Sequence, residues 1–137
     1  AALINSQLSK IEIKIMRKRE IGKMYRDGLR NHPWLRIAPS NFAGIENDYW
    51  VFGILLDPES NYDANSLQIK LQNQFSIQTR RFFCPIHLQP YIDKRLLDYD
   101  SLAISETLWK FGLYLPSGLG NTDYEIDFVI EALWSLV

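Results

Sequence analysis

The run YWVFGILL, Tyr49 to Leu56, constrains the fold of this chain more than any other stretch. It is nearly continuous in aromatic and aliphatic residues, and Asp57 and Pro58 end it sharply. An apolar run without polar alternation predicts a strand buried on both faces. Such a strand needs covering layers, so the rest of the chain must supply helices. With 137 residues, 47% of them apolar, the chain suits one domain with a real core, spanning 1–137.

The helices are legible on both sides of that strand. Ile4, Leu8, Ile11, Ile15, Gly22, Tyr25 and Leu29 recur at alternating steps of four and three, with Lys18 the charged member of the series. This spacing predicts one long helix over 1–30, stopped by Asn31 and Pro33. A helix this long buries little by itself, so it must lie against the rest of the domain or another body. Its other faces carry Lys10, Lys14, Arg17, Arg19, Lys23, Arg26 and Arg30, which read as a solvated surface. The stretch after it is turn-rich through Pro33, Pro39 and Gly44, and His32 is expected on the surface.

Downstream, Leu67, Leu71 and Phe75 predict a second helix capped by Asp63 or Asn65. The segment SIQTRRFF predicts a short strand, with Ile77 and Thr79 on one face and Gln78 and Arg80 on the other. CPIHLQPYIDKRLLDYD reads as irregular. Ser101 is expected to cap a helix through Trp109, and GLYLPSG a strand ending at Pro116. Thr122 caps a last helix with Ile126, Val129, Ile130 and Leu133 as its stripe, and Asp123 and Glu125 suit its positive N-terminus. The sum is an α+β two-layer unit, with helices covering a sheet of about three strands and the α/β sandwich occupying 45–137.

Composition removes several function classes. A net charge of −1 and a pI near 6.1 do not suit a nucleic-acid binder. No apolar run approaches the ~20 residues that cross a bilayer, and the first residues lack a signal-peptide pattern. The single Cys84 rules out an internal disulfide framework and fits a reducing cytoplasm. No zinc-ligand spacing is present. Gly118 and Gly120 precede a helix, but without GxGxxG or a P-loop lysine they read as a strand exit followed by a cap. Cys84 beside His87 lacks a third orienting group and reads as structural.

The segment around Arg80, Arg81 and His87 is chemically richer. Arginine offers a planar fork for carboxylate or phosphate, and neutral histidine offers one donor and one acceptor. They stand where a strand exits into a loop stiffened by Pro85 and Pro90. Two readings stay open: ligand contact, or packing against another domain.

SIQTRRFFCPIHLQPY also resembles the G-I-x-[ST]-R-x-x-F-x-P-[LI]-H-x-Q-P stretch of the DegT/StrS-type sugar aminotransferases. AALINSQLSKIE resembles their A-A-[IL]-G-x-x-Q-L helix, YRDGL their Y-x-x-x-L, YWVFGILL their aromatic strand, and GLYLPSGLGNTDYEIDFVIEAL their closing strand and helix. The likeness runs along essentially the whole chain and is nearest to perosamine-synthase-like members. Ser76 stands where the family usually has Gly, and Ile4 replaces a helix Gly. The resemblance implies the small C-terminal domain of a type I (aspartate aminotransferase) fold, with residues 1–30 as the linking helix. It implies pyridoxal 5'-phosphate as cofactor, held by a large N-terminal domain that carries the catalytic lysine. Lys10, Lys14, Lys18, Lys23, Lys70, Lys94 and Lys110 match none of that lysine's positions, so this chain alone is expected to be inactive. Substrate contacts are then expected from Arg80, His87, Gln89, Phe83 and Tyr91. The implied partners are the large domain, a keto nucleotide-sugar, an amino donor such as glutamate, and a second copy in a homodimer; nucleic acid and membrane are not among them. The alternative is a stand-alone α+β interaction module using the basic helix or the aromatic strand.

Overall fold

A computed structural model of the chain describes residues 2–92 and 102–137. The elements are α1 (Ala2–Leu8), α2 (Ile11–Leu29), β1 (Leu35–Ile37), β2 (Asn41–Phe42), β3 (Ile45–Glu46), β4 (Phe52–Leu56), α3 (Ala64–Phe75), β5 (Arg80–Arg81), a 3-10 turn (Ile86–Leu88), α4 (Ala103–Phe111), β6 (Gly112–Leu115) and α5 (Asp123–Trp134). The main sheet runs β1-β4-β6-β5, antiparallel throughout, and β2 and β3 form a separate small hairpin. This is the expected α+β layering, with four strands in the sheet instead of three. The additional strand, β1, is three residues long between prolines, so its sequence reads as turn. It pairs through Ile37 opposite Ile54. No described helix is long and apolar enough to cross a membrane.

Register places Leu35, Phe52, Ile54, Leu56, Leu113 and Leu115 on one face of the sheet, all buried. Ile21, Tyr25 and Leu29 of α2, Leu67 and Leu71 of α3, and Ile126, Val129 and Leu133 of α5 close that face into one core. The Tyr25 and Phe52 rings stack at 4.8 Å. Each aliphatic side chain so enclosed contributes about 1.5–3 kcal/mol.

The opposite face corrects the first expectation. β4 begins at Phe52, three residues later than the apolar run, and Gly53 and Leu55 are half-buried. Gly53 has no side chain to bury, so the Phe82 ring settles over it instead: a Cβ there would stand 3.0 Å from Phe82 Cζ. Phe82 also stacks on Tyr114 at 4.4 Å. Trp50 is 76% exposed, while Tyr49 is buried from a left-handed backbone (φ 49°) outside the strand.

The long helix is two helices. It breaks at Ser9 and Lys10, and Ile4, Leu8 and Ile11 are exposed although they carry the apolar period. Burial starts at Ile21. Several of its basic residues are not simply solvated. Arg17 donates to the Asn121 carbonyl at 2.7 Å and pairs with Asp123 at 2.7 Å. Lys18 Nζ donates to the carbonyls of Trp50 and Ser117.

His32 is likewise not on the surface. It is 5% exposed, with Trp34 and Trp134 rings at 4.5 and 4.7 Å, and its Nε2 donates to the Leu133 carbonyl at 3.2 Å. Among the two candidate caps of α3, Asp63 takes the role: its carboxylate accepts from Ser66 N at 2.8 Å and Ser66 Oγ accepts from Asp63 N at 2.9 Å. α4 extends to Phe111 and has Leu102 at its N-cap, without a side-chain bond; Ser101, the expected cap, lies outside the described residues. Thr122 caps α5 as expected, and Glu125 completes a reciprocal capping box with it.

Candidate functional site

The candidate site is the segment from Arg80 to Tyr91, which leaves the sheet at its β5 edge. The strand there is only two residues long, but the expected alternation holds in burial: Ile77 and Thr79 turn inward, Gln78 and Arg80 outward. Arg80 lies opposite Tyr114 in register and is exposed. Arg81 points to the other face, with its guanidinium carbon 4.8 Å from the centre of the Trp109 ring. Its Nε is buried without a hydrogen-bond partner.

Beyond the strand, Phe82 N continues the ladder to the Gly112 carbonyl at 3.0 Å. Phe83 is 66% exposed and meets Tyr114 edge to face at 6.2 Å. Cys84 is half-buried, and Pro85 then opens the 3-10 turn, which Leu88 N closes onto the Pro85 carbonyl at 3.0 Å. Gln89 is exposed, its amide 3.5 Å from the Cys84 carbonyl. Tyr91 is 95% exposed.

His87 behaves differently from its neighbours. It is 4% exposed, and its Nε2 lies 2.8 Å from Glu106 Oε1 on α4. The five expected site residues therefore share one segment but divide by side. Arg80, Phe83, Gln89 and Tyr91 face outward, and His87 faces its own domain. Glu106 was not legible as a site residue; its one signal is being the single carboxylate in AISETLWKF, three residues before Trp109. Residues three apart share a helix face, so α4 presents Trp109 to Arg81 and Glu106 to His87.

The loop before α5 makes a contrast. Gly118 N donates to Asn121 Oδ1 at 2.7 Å and Thr122 N to Glu125 Oε2 at 2.8 Å, so these two donors are used internally. Among the described residues no group of three His, Cys, Asp or Glu is placed to hold a metal ion.

Pyridoxal phosphate needs a lysine amine, an acid for its ring nitrogen and a phosphate cradle gathered in one place. The described lysines do not fit that set. Lys18 is committed to two backbone carbonyls, with its pKa lowered by burial. Lys14 donates to Gln7, and Lys10, Lys23, Lys70 and Lys110 are exposed on or beside helices. No step through the cofactor follows from this chain's own residues.

Comparison with known proteins agrees along the whole segment order. The GDP-perosamine synthase of Vibrio cholerae is 31% identical over 133 residues, covering 97% of this chain and 35% of the relative. Among solved structures, the aminotransferase TlmJ of Streptoalloteichus hindustanus superposes with a TM-score of 0.80 at 23% identity, over 96% of this chain and 34% of that one. DesV of S. venezuelae gives 0.84 at 20% identity, over 98% and 35%. The chain thus spans about a third of the length of the proteins it matches. The sequence model of one family, the DegT/DnrJ/EryC1/StrS aminotransferases, matches residues 1–134, and the chain belongs to that family.

Proposed function

We propose that this chain is the C-terminal small domain of a pyridoxal-phosphate-dependent sugar aminotransferase, and that Arg80–Tyr91 forms one wall of its active-site cleft. The observation that carries this reading is the combination of outward Arg80, Phe83, Gln89 and Tyr91 on a segment tied down at Arg81 and His87. Exposed aromatic and polar side chains on a fixed loop suit ligand contact better than a core role.

In this reading, the whole enzyme moves an amino group from glutamate to the keto carbon of a nucleotide-linked 4-keto-6-deoxy sugar, for a surface polysaccharide such as O-antigen. The cofactor, held by a large domain outside this chain, supplies the electron sink. Arg80 holds an anionic group of substrate or donor through its guanidinium fork. Gln89 supplies hydrogen bonds toward the sugar or donor, Phe83 and Tyr91 exclude water beside it, and His87, turned to Glu106, holds the segment from its inner side. The enzyme works as a cytoplasmic homodimer, and the small domain alone is inactive.

The test is to follow the coding sequence upstream of Ala1 and express the whole reading frame. A lysine-bearing domain and glutamate-dependent amination of a nucleotide 4-keto-6-deoxy sugar are expected. A start codon at this chain's own beginning, with nothing upstream, would overturn the reading. It would favour a stand-alone interaction module, for which exposed Ile4, Leu8, Ile11, Ile13 and Met16 offer a surface.

A further inference from the structure

The His87–Glu106 pair has a chemical direction. A carboxylate only accepts, so Nε2 of His87 must carry the proton across the 2.8 Å contact. The ring's other nitrogen, Nδ1, is thereby left as the acceptor whenever the ring is neutral. The ring is almost fully buried while the Glu106 side chain is 49% exposed. The carboxylate sits on a helix that also grips Arg81 through Trp109. The segment between these two anchors is further seated by Phe82 over Gly53 and Tyr114. Histidines that act at sites are commonly oriented by a carboxylate in this way, because the second bond fixes both ring angle and tautomer.

We propose that Glu106 is a positioning residue for the site segment: it holds His87 as the Nε2–H tautomer at one ring angle, and so presets the loop that carries Gln89 and Tyr91. This inference rests on the reading of Arg80–Tyr91 as a substrate-facing wall, but half of its test does not.

The first arm is nitrogen NMR of the histidine ring in the 137-residue chain, above the range where a free imidazole is protonated. Wild type and Glu106→Gln, which keeps an acceptor oxygen at the same reach, should show His87 as the Nε2–H tautomer. Glu106→Leu keeps the bulk and removes the acceptor, and should lose that single-tautomer pattern. The second arm is steady-state kinetics of the same variants in the whole reading frame. Glu106→Leu should lower kcat/KM for the sugar about tenfold, as expected for a lost charge-assisted hydrogen bond, while Glu106→Gln stays within about threefold of wild type. A purely space-filling glutamate predicts the reverse: Leu tolerated in both arms. An unchanged tautomer in Glu106→Leu, or a tautomer change with unaltered kinetics, would overturn the proposal. Absence of aminotransferase activity in the wild-type whole protein would overturn the functional reading and with it the positioning role, leaving the ring chemistry to be judged by the first arm.

Discussion

The Tyr49 ring lies directly against the backbone of Gly22, so closely that a Cβ built on Gly22 would fall within contact distance of three ring carbons. Tyr49 reaches this position from a left-handed backbone, with its N–H donated to Asn47 Oδ1 at 2.8 Å. It then stacks toward Phe52 at 5.8 Å. The helix thus meets the turn before β4 through a missing side chain.

That contact sets a sign. Gly22→Ala should favour the helix by about 1 kcal/mol, yet forcing a methyl into a filled site costs about 1–3 kcal/mol on top of recovering that gain. The single variant should lower the urea midpoint. In a Tyr49→Ala background the same substitution should raise it. Equal effects in both backgrounds would show that the ring does not rest on Gly22.

Ser76 ends α3 in the left-handed region, φ 57°, with its N–H donated to the Gln72 carbonyl at 3.1 Å. A glycine takes this conformation without the Cβ penalty. Ser76 is exposed and its side chain closes no core contact. Ser76→Gly should therefore stabilise the chain by about 0.5–1 kcal/mol, read as a rise in thermal midpoint. A fall would mean the serine hydroxyl matters more than its backbone strain.

His32 should give the chain an acid-sensitive step. Burial lowers its pKa, with the bond to the Leu133 carbonyl opposing in part, and Nδ1 is buried without a partner. On acidification the unfolded chain takes up this proton first, near pH ~6.5. The stability contributed by neutral His32 is complete above that pH and is lost as pH falls through the lower folded value. Urea midpoints at pH 7.5 and 5.5 should differ more in wild type than in His32→Gln. Asp57, Asp63 and Glu125 have lowered pKa values and act in a more acidic range, so they do not obscure the comparison. Identical slopes in the two proteins would remove His32 as the cause.

Pyridoxal phosphate added to this chain alone should produce no saturable, one-to-one lysine-linked absorbance band. The described lysines argue this: Lys18 is held by Trp50 and Ser117, and Lys10, Lys23, Lys70 and Lys110 are exposed on or beside helices. Titration with absorbance detection and peptide mapping checks it. A stoichiometric band on one lysine would require a cofactor site in this domain.

Much of this architecture was legible because local rules and tertiary structure agree. Asp63 and Thr122 cap their helices as their sequence positions suggest, and Leu67, Leu71, Ile126, Val129 and Leu133 point into the core at helical spacing. The misreadings share a cause. Ile4, Leu8 and Ile11 carry the right period, but period says nothing about whether a partner surface exists. Leu35–Ile37 is a strand only because Leu56 and its neighbours pair with it. Val51 and Trp50 look like strand residues, yet Tyr49 turns the chain just before β4. His32 looks like a polar residue after a helix until Trp34 and Trp134 close around it.

The site divides along the same line. Residue types and order within Arg80–Tyr91 identify the segment from sequence, since a strand exit, two prolines, an arginine and a histidine are all local features. Which side chains face outward was decided only by packing. Glu106 is 19 residues from His87 along the chain, and the two meet because α4 lies beside the segment. Periodicity and caps determine elements, being set by neighbours a few residues away. Burial, pairing and the choice of His87's partner depend on contacts between distant residues, and those exist only once the layers have closed.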